Sequence, residues 1–264
     1  MSLIPNTNAK YVGIEIECII PHDQGVVQNI LNNWGLAPFV KIGCDGSIEC
    51  GDMDEVSMAC PDCDGTGVTD DEYDEYDEQV TCSECDGNGD IYREPGYELK
   101  VLVKQSEMRL VLNRLQMALK SLNASVNESC GLHVHLDMRN RDFAQCAKKL
   151  LNVQGIMFRS VTMDRKNNEY CMPVLPAERK NIANISKYHA IHTEDSMRKY
   201  RTIEVRLHEG TVDCNEILNW CKFLITTIDT DVAMKKLRTT NAFPIRVKKY
   251  LDTRISKNAT GETL

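Results

Sequence analysis

The sequence lacks several features that would place it in common classes of protein. No apolar run approaches the roughly 20 residues that cross a membrane. The residues after Met1 do not form the basic and then apolar pattern of a secretory signal. No Gly-x-x-x-x-Gly-Lys-Ser/Thr stretch occurs, so a nucleotide phosphate would have to be bound without a P-loop. We therefore expect a soluble, cytoplasmic protein, and its 264 residues, 42% of them hydrophobic, can bury a core.

Basic residues are scarce in one segment of the chain. Of the 39 acidic and 31 basic residues, 19 acidic ones but only Arg93 among the basic ones lie between Asp45 and Glu98. The rest of the chain keeps 20 acidic and 30 basic residues, so the net charge of −8 hides a basic body. A basic body suits an anionic substrate such as a nucleotide. Nothing else in the sequence favours nucleic-acid binding.

The 12 cysteines are scattered, apart from one regular set. Without a secretory signal, free thiols and metal sites are favoured over disulfides. The regular set is a pair of Cys-x-x-Cys-x-Gly-x-Gly units that contain Cys60, Cys63, Cys82 and Cys85. Two such turns predict one closed, tetrahedral, structural zinc site. We interpret Cys44 and Cys50 as buried thiols, because their spacing is not typical of zinc ligands.

The zinc unit is predicted to be an insertion. Removing residues 52–95 leaves one strand ending near Glu49 and another starting near Tyr97, which divides the chain into a body of residues 1–51 and 96–264 and a module grafted on a hairpin tip. The module resembles the cysteine-rich zinc domain of DnaJ-type chaperones, but no His-Pro-Asp helical domain accompanies it, so co-chaperone activity does not follow. The acidic stretch 70–78 is predicted to be a solvated loop or hairpin tip; a docking surface for a basic protein partner is the alternative.

Five stretches alternate apolar and polar residues as strands do: 11–18, 45–50, 97–101, 131–137 and 202–208. The polar sides carry mostly acids, imidazoles and a guanidinium, including Glu15, Glu17, His133, His135, Glu204, Arg206 and His208. These side chains bind divalent cations and phosphate. A metal and phosphate site on one sheet face is therefore favoured, and a plain solvated face is the alternative.

Apolar residues also recur at helical spacing, over 105–123, over 143–163 and over 217–228, and a short helix is predicted near 25–34. Asp213 is placed to cap the third of these helices, with Glu216 three residues later. The order of elements predicts an α+β fold in which helices cover one face of a largely antiparallel sheet. The polar tail from Lys248 onward is predicted to fray.

Taken in order, segments 13–17, 45–47, 131–135 and 202–211 resemble the amidoligases of phages and bacteria, which are relatives of glutamine synthetase and glutamate–cysteine ligase. The resemblance covers nearly the whole chain outside the zinc insertion. It implies a glutamine synthetase-like sheet, shaped as a half-open funnel with helices outside. It also implies an ATP-dependent carboxylate–amine ligase that uses Mg²⁺ or Mn²⁺ and acts on small-molecule or peptide substrates.

The resemblance also implies roles for single residues. The implied ligands of two Mg²⁺ or Mn²⁺ ions are Glu15, Glu17, Glu98, His133 and Glu204, with Glu49 as the alternative to Glu98. His135 would lie near the nucleotide phosphates and Arg206 would contact the γ-phosphate, so that both act with Glu204 in catalysis. Four further residues match the family positions less closely and would contact the nucleotide or substrate, with a purely structural role as the alternative for each: Arg159, Lys187, Tyr188 and Arg201.

Two other classes of function fit the same residues. A metal-dependent hydrolase would use the same carboxylates and histidines, but it would act without ATP. A non-enzymatic adaptor would depend on the zinc unit and the acidic stretch, and it would tolerate the loss of Glu15 and His133.

Overall fold

The computed structural model describes residues 10–51, 53–60, 62–73 and 79–260. The strands, in chain order, are β1 (Tyr11–Ile19), β2 (Val40–Cys44), β3 (Val56–Ala59), β4 (Val68–Tyr73), β5 (Gln79–Thr81), β6 (Asp90–Arg93), β7 (Gly96–Lys104), β8 (Gly131–Asp137), β9 (Ile191–His192) and β10 (Thr202–Glu209). The α-helices are α1 (Gln24–Asn33), α2 (Met108–Ser121), α3 (Phe143–Arg159), α4 (Met163–Lys166), α5 (Cys214–Asp229) and α6 (Ile245–Thr260).

A six-stranded sheet forms the body of the protein, in the order β2–β7–β1–β8–β10–β9. Each neighbouring pair in this order runs antiparallel, as the alternating stretches predict. The alternation places Ile14, Ile16, Leu132 and Val134 on one face, where they are almost completely buried. The acidic and histidine side chains of the same strands lie on the other face.

Helices cover the apolar face of the sheet. The stripe of apolar residues on α2 is buried, and α3 and α5 pack against each other and against the sheet. The predicted cap of α5 is confirmed, because the Asp213 side chain accepts a hydrogen bond from Asn215 N. The second helix ends earlier than predicted, at Arg159, and the chain resumes helical structure in α4. The sequence therefore located the helical layer correctly.

The predicted strand at 45–50 is wrong. Asp45 Oδ1 accepts hydrogen bonds from Ser47 N (2.9 Å) and Ser47 Oγ (2.6 Å), so this Asp-Gly-Ser segment is a turn. The strand lies just before it, as β2, and β2 pairs with β7. The two strands that flank the insertion are thus antiparallel neighbours, as a module on a hairpin requires.

The prediction that the tail frays is also wrong, because residues 245–260 form α6. Val247, Leu251 and Arg254 recur at helical spacing and are buried. The Arg254 guanidinium donates from Nε to Ser160 O (2.6 Å) and is ion-paired with Glu209 and Glu216. A polar sequence hid this helix, since its main anchor is a buried arginine rather than an apolar side chain.

Within the insertion, β3 pairs with β6 and β4 pairs with β5. The module contacts the body through α1: Asp23 Oδ1 accepts from Ser57 N (2.8 Å) and Gln24 Oε1 accepts from Ala59 N (2.9 Å). Met58, between them, is buried in the main core. Residues 70–73 of the acidic stretch belong to β4, and 74–78 lie outside the described residues.

Helices able to cross a membrane are absent from the described ranges: none is both long enough and apolar enough.

Candidate active site

The polar face of the sheet gathers side chains from four adjacent strands. Facing pairs across the strands are Glu15 with His133 and with Lys100, Glu17 with Glu98, and Glu204 with His135. Residues that are far apart in sequence therefore lie on one floor, because the side chains of facing residues point to the same side of a sheet. We call this set, together with Arg206, the polar floor.

Two groups of possible metal ligands lie on the polar floor. Glu15, Glu98 and His133 form the first group, and Glu15, His135 and Glu204 form the second. Within each group the ligand atoms lie within 4.8 Å of one another. Glu15 belongs to both groups, so the two groups are adjacent on the floor.

The donor chemistry of these groups fits a divalent cation. Each group offers two carboxylates and one imidazole, and carboxylate oxygen is the preferred ligand of Mg²⁺ and Mn²⁺. His135 Nε2 is buried and makes no well-aligned hydrogen bond within the described part of the chain. It lies 3.3 Å from Glu15 Oε1 and 3.9 Å from Glu204 Oε1. A buried nitrogen without a hydrogen bond beside two carboxylates fits the donor set of a metal site.

Glu17 lies beside the first group rather than in it. Its Oε2 accepts a hydrogen bond from Gly131 N (2.5 Å), and its Oε1 lies 3.4 Å from His133 Nε2. The opposite nitrogen of the same ring, Nδ1, lies 3.4 Å from Glu15 Oε2. Glu17 is thus placed to orient the His133 ring and to hold the start of β8.

Glu204 is held by two partners. His192 Nδ1 lies 2.7 Å from Glu204 Oε2, and Arg206 Nη1 donates to Oε1 at 2.6 Å. His192 Nε2 accepts from Asp195 N (3.3 Å), which leaves Nδ1 as the donor to the carboxylate. Sequence reasoning missed His192 because β9 has only two residues and shows no alternation.

Charges on the polar floor shift several pKa values. Burial would raise the pKa of Glu15, but contacts with His133 and His135 lower it far below its usual value. Burial likewise opposes the shift of Glu204, whose pKa falls to about 2 through His192 and nearby positive charge. The pKa of Glu98 is raised by burial and by the charge of Glu15. The pKa values of neighbouring carboxylates are thus moved in opposite directions, as happens where several charged groups share a partly buried site.

A bulge in β10 corrects one sequence prediction. The register shifts between Val205 and His208, so His208 faces Leu132 on the apolar side instead of joining Glu204. It is fully buried, packs edge-on to Trp220 (4.9 Å between centroids) and contacts Glu216 through Nε2 at 3.1 Å. The alternation of the sequence could not reveal this, because one extra residue reverses the face.

Arg165 was missed by sequence reasoning and holds the bulge. Its guanidinium is buried and donates to Arg206 O (2.7 Å) and Leu207 O (3.3 Å). It lies at the start of β8 as well, since a Cβ on Gly131 would come within 3.2 Å of Arg165 Nη2. The backbone that carries Arg206 is therefore fixed by a second arginine. The signal in sequence was weak, because Arg165 belongs to a four-residue helix, α4.

The remaining predicted site residues lie outside the polar floor, on exposed segments. Lys187 is exposed and its ammonium stands 5.5 Å from the Tyr188 ring centroid. Arg201 is exposed, and its backbone adopts the left-handed conformation (φ 56°) directly after the π-helix Ser196–Tyr200. The preceding Tyr200 packs edge-on to His135 at 6.0 Å, so this turn borders the second group.

The structure distinguishes between Glu98 and Glu49, the two alternatives for one of the implied metal ligands. Glu98 belongs to the first ligand group. Glu49 is exposed on a loop, where its backbone N–H donates to Ser129 Oγ and its carbonyl accepts from Asn127 Nδ2. The geometry favours Glu98. Arg159 ends α3 in the helical layer and is exposed.

The four cysteines of the insertion form a compact, buried group. Cys60 Sγ and Cys82 Sγ are 3.7 Å apart, as are Cys63 Sγ and Cys85 Sγ. Zinc–sulfur bonds of about 2.3 Å in a tetrahedron require sulfur atoms about 3.8 Å apart, so the group could hold a zinc ion. Gly67 N donates to Cys63 Sγ and lowers its pKa against the effect of burial.

The glycines of the motif explain its spacing. Gly67 and Gly89 have φ of 79° and 78°, and a Cβ on either would collide with backbone of the opposite unit. Each unit therefore needs its second glycine so that the two turns can close on each other. Outside this group, Cys50 is buried and Cys44 is half-buried.

Comparison with known families fits this geometry. A family model described as "Putative amidoligase enzyme" matches residues 41–187, which is more than half of the chain. The protein therefore belongs to this amidoligase family. The matched range contains Glu98, His133 and His135, whereas Glu15 and Glu204 lie outside it and reach the site through the sheet register. No match to a curated protein was found.

Proposed function

We propose that the protein is an ATP-dependent carboxylate–amine ligase that forms an amide or isopeptide bond through an acyl phosphate. The observation that supports this most is the pair of ligand groups that share Glu15 on the polar floor of an amidoligase-family chain. We also propose that the sheet is a glutamine synthetase-like funnel, with residues 52–95 as an inserted module.

The reaction has two steps with defined electron movements. A carboxylate oxygen of the first substrate attacks the γ-phosphorus of ATP, and the bond to the bridging oxygen of ADP breaks. The amine nitrogen of the second substrate then attacks the acyl carbon, the carbon–oxygen bond to phosphate breaks, and the nitrogen loses a proton. Free carboxylates do not react with amines at neutral pH because oxide is a poor leaving group, so ATP supplies a better one.

In this proposal Glu15, Glu98 and His133 hold one Mg²⁺ or Mn²⁺ ion, and Glu15, His135 and Glu204 hold another. The ions, when bound, spread the charge that develops on the phosphate oxygens. Glu17 and His192 orient the ligands that they contact, as outer partners of metal ligands commonly do. This assigns Glu17 a supporting role and brings His135 into the ligand set, which refines the roles that the family resemblance implies.

Arg206 would bind the γ-phosphate with its fork of N–H donors and stabilise the transferring group. Its guanidinium lies on the polar floor at the second group, only partly exposed, where desolvation strengthens such contacts. Lys187 and Arg201, at the exposed border, would contact the nucleotide or the substrate.

The test is to incubate the protein with ATP, Mg²⁺ and mixtures of amino acids or peptides, and to measure ADP together with condensed products by mass. Glu15→Gln and Arg206→Ala should abolish ADP formation while the fold survives. Glu98→Gln should do the same, and the exposed Glu49→Gln is the matched control that should remain active. Wild-type rates in both Glu15→Gln and Arg206→Ala would refute the site.

The same variants, tested for ATP-independent cleavage and for partner binding, distinguish the other classes of function. Cleavage of a substrate without ATP, lost in Glu15→Gln, would indicate a metal-dependent hydrolase. Binding of a basic protein partner that survives Glu15→Gln and His133→Ala, together with no turnover, would indicate an adaptor.

We further propose that Cys60, Cys63, Cys82 and Cys85 hold one structural Zn²⁺ ion. Their sulfur–sulfur distances fit a tetrahedral zinc site, and all four thiols are buried. Protein purified without chelators should contain about one zinc per chain, and Cys82→Ser should contain much less. Wild-type protein that holds no zinc would contradict this.

A further inference from the structure

Each ligand group contains one carboxylate that is already paired with a cation of the polar floor. Lys100 Nζ lies 2.7 Å from Glu98 Oε2, and Arg206 Nη1 lies 2.6 Å from Glu204 Oε1. Both cations reach solvent, with side chains that are 56% and 22% exposed. Nothing in the sequence pattern or the family resemblance assigns a role to Lys100.

Lys100 stands directly over the first group. It faces Glu15 across β1 and β7, and it follows Glu98 by two residues, so its side chain leaves the same face of the sheet. Its ammonium therefore lies at the exposed edge of the site, paired with Glu98 and on the same face of the sheet as Glu15.

The charge of the floor depends on what fills it. Counted formally, with the imidazoles left out, four carboxylates (Glu15, Glu17, Glu98 and Glu204) outweigh the two cations, and the floor carries a net charge of minus two. A polyanion such as a nucleotide triphosphate would be repelled. Two divalent cations would reverse the net charge to plus two. Metal must therefore bind before or together with the anion.

We propose that Lys100 is a second anion-binding residue of this site, and that a divalent metal at Glu15, Glu98 and His133 releases its ammonium from Glu98 to bind a phosphate-bearing anion. The inference rests on the proposed function, since it takes the metal groups as real. Arg206 and Lys100 then approach the bound anion from opposite sides of Glu15. The single bonds of a lysine stem allow this movement, and an ammonium binds phosphate as a mobile point charge.

Competition for Glu98 gives the assignment a distinctive signature. In the metal-free protein Lys100 is paired with a carboxylate that the metal needs, so removing Lys100 should favour the metal. In the metal-loaded protein Lys100 contacts the anion, so removing it should disfavour the anion. A residue that only stabilised the fold would not shift the two affinities in opposite directions.

The experiment compares Lys100→Met with Lys100→Arg, which keeps the charge, and with Lys104→Met as the matched control. Lys104 lies four residues along the same strand and pairs loosely with Glu107 (3.8 Å). Titrations measure Mn²⁺ binding, and then the binding of inorganic triphosphate and of a non-hydrolysable ATP analogue at saturating and at zero Mn²⁺. Thermal unfolding checks that each variant is folded, as the exposure of Lys100 leads us to expect.

Lys100→Met should bind Mn²⁺ about two- to five-fold tighter, a modest gain because the broken ion pair is half exposed. It should bind triphosphate about ten-fold more weakly at saturating Mn²⁺, because a charge-assisted contact is lost. Lys100→Arg and Lys104→Met should stay close to wild type. Unchanged triphosphate binding in Lys100→Met, an unchanged or weaker Mn²⁺ affinity, or wild-type triphosphate binding that needs no metal would each overturn the assignment.

Failure of the ligase proposal gives a different result. If triphosphate binding follows the pattern above but no ADP or amide forms with any substrate, Lys100 keeps its role and the ligase proposal fails. If amide forms in Lys100→Met with an unchanged KM for ATP, the ligase proposal survives and the role of Lys100 is refuted.

Discussion

His192 offers the sharpest test of how the second ligand group is held. His192→Leu removes the donor that contacts Glu204 Oε2 at 2.7 Å and leaves a side chain of similar size. Both residues are buried, with 5% and 4% exposure, so water cannot easily replace the lost hydrogen bond. The Arg206 contact to Oε1 remains, so Glu204 would keep this hydrogen bond and lose the one to Oε2.

The expected cost follows from this burial. A hydrogen bond to a buried charged group contributes about 2 kcal/mol, so the free energy of unfolding should fall by about that amount. For a chain of this size the unfolding midpoint should drop by about 4–8 °C. Metal binding should weaken by about 10- to 100-fold, because partners that orient metal ligands have effects of that size.

The assay combines thermal unfolding of metal-free protein with Mn²⁺ titration. His192→Asn is the matched control, because its amide nitrogen can take the place of Nδ1 and should recover part of both losses. Equal Mn²⁺ affinity in wild type and His192→Leu would refute the claim that His192 orients Glu204. A stability loss without a change in Mn²⁺ affinity would show that His192 stabilises the fold but does not orient a metal ligand.

Three further predictions concern other parts of the molecule. Arg254→Met should destabilise the protein by about 3–5 kcal/mol at pH 7, since it removes a buried cation and leaves the partly buried carboxylates of Glu209 and Glu216 without it. Contacts within that cluster hold the pKa of Glu216 at about 2 against the effect of burial. The stabilisation from ionised Glu216 is therefore complete above about pH 4.5 and is lost as the pH falls towards 2. Urea unfolding should show a smaller gap between the variant and wild type at pH 3 than at pH 7, and an equal gap at both pH values would contradict this. Gly67→Ala should speed zinc release to a chelator, whereas Gly43→Ala, which meets open space, should not. Gly13→Ala should weaken Mn²⁺ binding several-fold, because the added Cβ meets the Cβ of the facing His135 at 3.1 Å and should displace its ring; an unchanged titration would show that the His135 side chain can shift freely.

Much of the polar floor could be predicted from sequence, for a physical reason. In β1 and β8 the alternation is unbroken, so one apolar face fixes where Glu15, Glu17, His133 and His135 point. Their facing partners then follow from antiparallel pairing. The paired cysteine turns could equally be predicted, because each Cys-x-x-Cys turn directs two thiols towards one point.

The parts that sequence could not give depend on packing between distant elements. The bulge in β10 turns His208 into the core, and its cause, the clamp from Arg165, lies about 40 residues earlier in the chain. His192 acts from a strand too short to show a period. The helix at 245–260 was hidden because its buried anchor, Arg254, reads as polar until Glu209 and Glu216 are placed beside it.

The most direct test of the account is the number of Mn²⁺ ions that the chain binds, measured by electron paramagnetic resonance. We expect two neighbouring ions in wild type, one in Glu98→Gln, one in Glu204→Gln, and none in Glu15→Gln, because Glu15 serves both groups. Loss of only one ion in Glu15→Gln, or two ions retained in all three variants, would contradict the shared site.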